Sequence, residues 1–424
     1  MNFKEIDVCL VTGLYPKEEE ETIQFNSIYG IQNAANVFQW NIVNGIIANG
    51  VSKLKLINSL YIGSFPKKYT QLLISSYKFK LSDKFEGENI GFINIPIFKE
   101  ILRFFLMKKE LKKWALENHE NKLIISYAAT YPMTKALEYV KRINSNIQTC
   151  LVVPDLPIYM NLSKNKTGLL HQIKNKIVIK QMSKADSYIL LTEQMRYKIK
   201  NSENKPYVVI EGMASPMKGD LKSFNELGYL STALKKKYFL YSGTLNIEYG
   251  VLDLIKSFEE LNNQDLHLVI CGEGEAEEIL KKCKNEQIHF LGRCSHEDVL
   301  CLQQNAYALI NPRKNSNEYT KYSFPSKIME YLSSGRPTIA YFLDGMPLEY
   351  KKYMICIDEE VGLTKVLQDV IEKGETFCEC FGKNAKSFVL SEKNSTNQMK
   401  KVLDLFDEKK DSENDEKKSF DSII

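Results

Sequence analysis

Lys327 and Glu330 are the pair whose types and spacing point most directly to chemistry. They fall in SFPSKIMEYLSSGRPTIA, residues 323–340, which reads as loop, short helix, glycine stop and buried strand. Pro325 suits a first helical turn, where its missing N–H costs nothing. Gly335, with Pro337 just beyond, ends the helix, and Thr338–Phe342 forms a strand. Residues three apart share one helix face, so Lys327 and Glu330 project together, while Ile328, Met329 and Leu332 cover the other side. The start of such a helix offers free N–H groups and the positive end of a dipole, which suit a phosphate. A carboxylate one turn further in can accept hydrogen bonds from sugar hydroxyls. The combination could hold a nucleotide diphosphate.

Other candidates lie on loops at the carboxyl ends of predicted strands, where open α/β sheets bind ligands. Arg293 follows a strand in FLGR, Arg313 follows one in INPR, and Lys321 and Lys327 flank the loop before the helix. Such cations would neutralise charge growing on a departing phosphate. Arg313 is the strongest, because NPR leads straight into residues 323–340. Arg293 reads equally as a solvated surface charge. Tyr241-Ser-Gly-Thr-Leu245 is a turn after a strand, and Gly243 and Thr244 could offer backbone amides to a phosphate. The same turn could be an ordinary βα connection. Gly274 in CGEGE would permit close backbone approach. Asp155 in VPDLP stands just past a strand, where a carboxylate could orient or deprotonate a bound hydroxyl. It reads equally as a turn residue in a Pro-flanked loop. There is no Asp-x-Asp pair to hold a divalent metal, and no GxSxG or HExxH, so hydrolase and zincin readings have no support.

The stretch Asn311–Gly335, NPR…KYSFPSKxMEYLxSG, resembles the donor-site signature of the family-4 retaining glycosyltransferases, also called glycosyl transferases group 1. The resemblance implies the GT-B fold, an α/β architecture of two Rossmann-like domains with parallel sheets facing across a cleft. It implies that Glu330 binds the donor ribose and that Ser323, Phe324, Pro325 and Ser326 face the diphosphate and donor sugar. The family loop that usually reads GRLxxxKG is GTLNIEYG here, so Thr244 and Tyr249 replace two phosphate-binding cations. Tyr322 stands where the common motif has another Glu. Gly30–Asn36 resembles the loop that approaches donor phosphate and acceptor, with Gln32 and Asn33 suited to sugar hydroxyls. The implied activity is sugar transfer from a nucleotide-diphosphate donor, retaining and metal-independent, with that donor as co-substrate and no cofactor. Lys327 and Arg313 would serve the leaving group and Asp155 the acceptor. By analogy the acceptor is a lipid-linked saccharide in surface polysaccharide synthesis. A nucleotide-sugar epimerase of the same fold and a non-catalytic nucleotide-sugar-binding subunit are the alternatives.

Alternating strand and helix patterns divide the 424 residues into domains. The first spans 1–210, a connection 211–236, and the nucleotide-sugar domain 237–385. Residues 386–407 read as a helix, which the resemblance implies returns to the first domain, and a charged tail at 408–424 is expected to be disordered. The nine cysteines form no CxxC or zinc spacing, which fits reduced thiols. No apolar run spans a bilayer. The start, Met1–Tyr15, reads as a strand rather than a leader, so a cytoplasmic protein is expected. Residues 1–200 hold 28 Lys and Arg against 17 Asp and Glu, although the whole chain is only +4. Phe98–Glu117 combines six basic residues with Phe104, Phe105, Leu106 and Trp114, and Lys164–Lys184 adds six lysines. A basic, amphipathic first domain is expected to lie on the inner face of an anionic membrane, without nucleic-acid partners. Packing of both helices on the first sheet, with solvated outer faces, is the simpler alternative.

Overall fold

A computed structural model describes residues 3–158, 169–216, 236–315 and 318–406. The chain divides into two units, one joining residues 1–211 to 395–424 and the other covering 212–394. The disordered tail expected at 408–424, most of the connection at 211–236 and part of the lysine-rich stretch lie outside the described residues.

The first unit begins with β1 (Asp7–Thr12), α1 (Glu20–Asn26), α2 (Asn33–Ala48) and β2 (Lys53–Asn58). Four short strands follow: β3 (Leu73–Ile74), β4 (Tyr77–Lys80), β5 (Glu86–Asn89) and β6 (Phe92–Ile93). Then come α3 (Phe98–Leu116), β7 (Lys122–Tyr127), α4 (Tyr131–Ile143), β8 (Gln148–Val153), α5 (Leu169–Met182), β9 (Ser187–Leu190) and β10 (Tyr207–Val209). Eight strands form one sheet in the order β10-β9-β8-β7-β1-β2-β5-β4, parallel except at the β4–β5 edge. The helix over residues 395–406 belongs to this unit, where Asn49 at the end of α2 donates to the Thr396 carbonyl at 2.9 Å.

The second unit runs β11 (Lys237–Ser242), α6 (Val251–Glu260), β12 (Leu266–Cys271), α7 (Glu277–Lys281), β13 (Ile288–Phe290) and α8 (His296–Asn305). It continues with β14 (Ala308–Asn311), α9 (Ser326–Ser334), β15 (Thr338–Tyr341), β16 (Ile355–Ile357) and α10 (Leu363–Glu392). Because α10 runs to Glu392, residues 386–392 stay with this unit, and the return begins at Ser395 rather than at 386. The sheet is parallel throughout, ordered β13-β12-β11-β14-β15-β16. Every residue of β12 and β15 is buried, as expected for strands covered on both faces. The order reverses between β11 and β14, and in open α/β sheets ligands bind at the carboxyl ends of the strands at such a reversal.

Candidate donor site at the second sheet

Helix α9 carries the central pair because its other side is core. Ile328, Met329, Tyr331 and Leu332 are buried, leaving Lys327 and Glu330 half-exposed on the face between. Gly335 closes the helix in the left-handed region at φ 85°, as the sequence required. Pro325 is the residue before the first turn rather than within it, and no side chain caps the helix start. The buried Tyr331 hydroxyl accepts from the Ser242 amide at 2.8 Å and donates to the Ser242 carbonyl at 3.1 Å, which ties α9 to the end of β11.

Lys327 Nζ lies 2.8 Å from Glu330 Oε1. The same oxygen accepts from Gln303 Nε2, whose amide also donates to Ser242 Oγ at 3.2 Å. Gln303, on α8, is 0% exposed, and its Oε1 is buried without a partner among the described residues. Burial acts to raise the Glu330 pKa, but Lys327, Gln303 and His296 outweigh it and hold the carboxyl below its usual range. The group is therefore an ionised acceptor at neutral pH. Sequence reading missed Gln303. Its type carries no signal inside a predicted helix, and only the packing of α8 against α9 reveals it.

Arg313 leaves β14 and enters a narrow setting. Its Nη2 donates to Ser323 Oγ at 3.2 Å, and its guanidinium lies 5.0 Å from the Tyr249 ring and 4.9 Å from the Tyr319 ring. Arg293 is exposed and only 3.8 Å from Glu273, which agrees with a solvated surface charge. Lys321 is exposed on a turn of 3-10 helix, Glu318–Tyr322. Ser326 is exposed at the start of α9, whereas Phe324 is buried and packs on Tyr350 at 5.2 Å. The Phe324 side chain is thus core, and only its backbone remains for a ligand.

The glycine turns differ from the amide cradle expected of them. The Ser242 amide is taken by Tyr331, that of Gly243 by the Cys271 carbonyl at 3.0 Å, and that of Leu245 by the Glu273 carbonyl at 2.9 Å. Gly243 therefore shapes the turn rather than offering its N–H to a phosphate, and Thr244 is the exposed residue of that turn. Gly274 permits close approach, but to protein. A Cβ there would lie 2.7 Å from the Leu245 backbone, at a φ of 152°.

Residues 230–388 match the family model described as Glycosyl transferases group 1. The matched region covers most of the second unit, including Arg313 and α9. The chain has the GT-B fold, shared with distant solved structures. Sucrose-phosphate synthase from Thermosynechococcus elongatus is 13% identical, with 96% of this chain and 100% of that one covered at a TM-score of 0.62. A trehalose-6-phosphate enzyme from E. coli, bound with UDP-2-fluoro glucose, is 9% identical over 94% of this chain and 99% of that one, TM-score 0.60. HepE from Anabaena, in complex with UDP, is 12% identical over 95% and 100%, TM-score 0.57. No curated protein sequence matches.

In the first unit, Asp155 follows β8 on an exposed turn. Loss of water around its carboxyl pushes it up to about 6. The Tyr127 and Tyr61 phenols are close enough for its charge to raise them further, beyond the effect of their own burial. Asn33 opens α2 and Gln32 precedes it, while Asn36 and Gln39 accept from the Tyr15 and Gly13 amides, each at 2.8 Å, and so brace the loop after β1. A depression of about 350 Å³ between β1, β2 and α3 lies at the amino ends of the strands. Its Lys55 is already paired with Glu88 and Glu110, so that charge serves the fold.

Proposed function

We propose that this chain transfers a sugar from a nucleotide-diphosphate donor to a hydroxyl of a saccharide acceptor, with retention of configuration and without a metal. The observation that carries the reading is the ionised Glu330 held by Lys327 and Gln303, in a sheet whose strand order reverses at β14, the strand that Arg313 leaves. Glu330 accepts the ribose hydroxyls. Arg313 and Lys327 face the diphosphate, where charge grows as the sugar departs, and positive groups fixed there lower the barrier. Asp155 is the group for the acceptor hydroxyl in this reading, and a carboxyl near 6 is a better base than an ordinary one. The group 1 match and two relatives described with UDP or a UDP-sugar support a nucleotide-sugar donor.

We further propose a lipid-linked acceptor in surface polysaccharide synthesis, met at the cytoplasmic face of an anionic membrane. No helix among the described residues is long and apolar enough to cross a membrane. Support comes from α3, whose outer face is apolar over Phe98, Ile101 and Phe105 and basic over Lys109, Lys112 and Lys113. The adjoining strands and loop expose Leu73, Ile95 and Ile97. The insertion expected through Phe104 and Trp114 is corrected, because both are buried and Trp114 donates to Asp7 at 2.9 Å.

A thermal-shift screen of nucleoside diphosphates and their sugars tests the donor assignment, followed by transfer assays with saccharide-lipid acceptors. Stabilisation by one nucleotide diphosphate and its sugar is expected. No response to any of them would overturn the reading.

A further inference from the structure

Tyr249 occupies the place where the related loop carries a lysine, yet its ring sits against a cation supplied from elsewhere. The contact follows from the sheet. β11 pairs with β14, Phe239 opposite Ala308 and Leu240 opposite Leu309, so the loops that leave them start side by side. Gly250 then lets the two backbones meet. A Cβ at Gly250 would lie 2.4 Å from the Pro312 carbonyl oxygen, and its φ is 80°. That approach sets the residue before Gly250 beside the residue after Pro312, and the Tyr249 ring comes to 5.0 Å from the Arg313 guanidinium. Tyr319, from the turn that follows, flanks the same guanidinium at 4.9 Å.

The edge of Arg313 is less well served. Nη2 reaches Ser323 at 3.2 Å, but Nε is buried with no hydrogen-bond partner among the described residues. Other cations of this unit are neutralised differently. Lys314 faces Asp253 at 2.6 Å, Lys327 faces Glu330 at 2.8 Å, and Arg293 faces Glu273 at 3.8 Å. Arg313 pairs with no carboxylate among the described residues. Aromatic rings stabilise a guanidinium without consuming its N–H donors, so the fork stays charged and available to an acceptor with several oxygens. A buried, unpaired donor costs free energy unless a ligand supplies the missing acceptor.

We propose that Tyr249 and Tyr319 are positioning residues that hold Arg313 as the diphosphate-binding cation, so that the charge usually supplied from the loop after β11 comes from the loop after β14. This rests on the donor reading above. The substitution of a tyrosine for a lysine is then not a loss of the phosphate site but part of how it is rebuilt.

Calorimetry with inorganic pyrophosphate as the probe tests it. Arg313→Gln should weaken pyrophosphate binding at least tenfold, and Arg313→Lys should do so less. Tyr249→Leu and Tyr319→Leu should each weaken it by about fivefold, while Tyr249→Phe, which keeps the ring, should bind as the parent does. In the Arg313→Gln background Tyr249→Leu should have no further effect, a coupling that a general loss of structure would not give. Parental affinity in Arg313→Gln, equal losses in Tyr249→Phe and Tyr249→Leu, additive losses in the double variant, or no pyrophosphate binding by the parent would each overturn the proposal. If nucleoside diphosphates bind and Glu330→Ala abolishes this while Arg313→Gln does not, the positioning role fails and the donor reading stands.

Discussion

Glu330 gives the sharpest test of the donor site, because its partners allow the effects on binding and folding to be separated. Glu330→Ala removes an ionised acceptor held between Lys327 and Gln303. A hydrogen bond to a charged group is worth about 1.5–3 kcal/mol, so affinity for the nucleoside diphosphate selected in the screen should fall roughly 12- to 160-fold. Glu330→Gln keeps a neutral acceptor and should lose about 2- to 30-fold. Folding responds differently. In the alanine variant the buried Gln303 amide keeps only Ser242 Oγ, a cost of about 1–3 kcal/mol, or roughly 2–12 °C in Tm for a unit of this size. Lys327 is half-exposed and can turn to water, so the ion pair itself adds little. Because the Glu330 pKa is depressed in the fold, its contribution to stability is present above the ordinary carboxylate value of 4.5 and is lost as pH falls below it. Calorimetry and thermal denaturation of the parent and both variants should give the affinity order parent, glutamine, alanine. A folded Glu330→Ala protein that binds at parental affinity would refute the reasoning.

Four further outcomes are expected. Asp155 has a raised carboxyl, so the rate should climb as pH rises through about 6, and Asp155→Asn should abolish that limb in initial-rate profiles. A raised carboxyl also means that stability is lost as pH rises through about 6, so Asp155→Asn should raise Tm at pH 7 more than at pH 4. His267 and His289 stack with Nδ1 and Nε2 2.7 Å apart, and burial lowers both pKa values, aided by Lys236 at each and by His289 at His267. The pair therefore stabilises the fold when neutral, above the ordinary value of 6.5, and this is lost as pH falls; His289→Gln should flatten Tm against pH between 7 and 5. Cosedimentation should show salt-sensitive binding to anionic vesicles, reduced by Lys109→Glu, Lys112→Glu and Lys113→Glu together, since each lysine near such a surface is worth about 1 kcal/mol. Lys108 is left in place because it packs over Tyr139 at 5.0 Å; equal binding by parent and variant would remove α3 as the contact.

The sequence by itself determined the local elements and one helix face. Short, mostly apolar runs such as Leu266–Cys271 read as strands buried on both sides, and every residue of that one is buried. The spacing of Lys327 and Glu330 fixed their meeting, because an i, i+3 pair is neighbourly in any helix. Strands such as β2, Lys53–Asn58, escaped notice since alternating lysines hide their apolar face until a neighbour covers it. Helix α3 showed which residues were apolar but not which were covered. Phe104 and Trp114 became core and Phe105 surface, a division set by the sheet beneath. Tertiary structure alone decided the rest of the candidate donor site. Gln303 reaches Glu330 from another helix, and the turn at Gly243 spends its amide on the Cys271 carbonyl. Tyr249 meets Arg313 across a gap of more than sixty residues only because β11 and β14 pair in the sheet. Contacts within one turn of helix follow from covalent geometry; contacts between strands far apart in sequence depend on the order in which the sheet assembles.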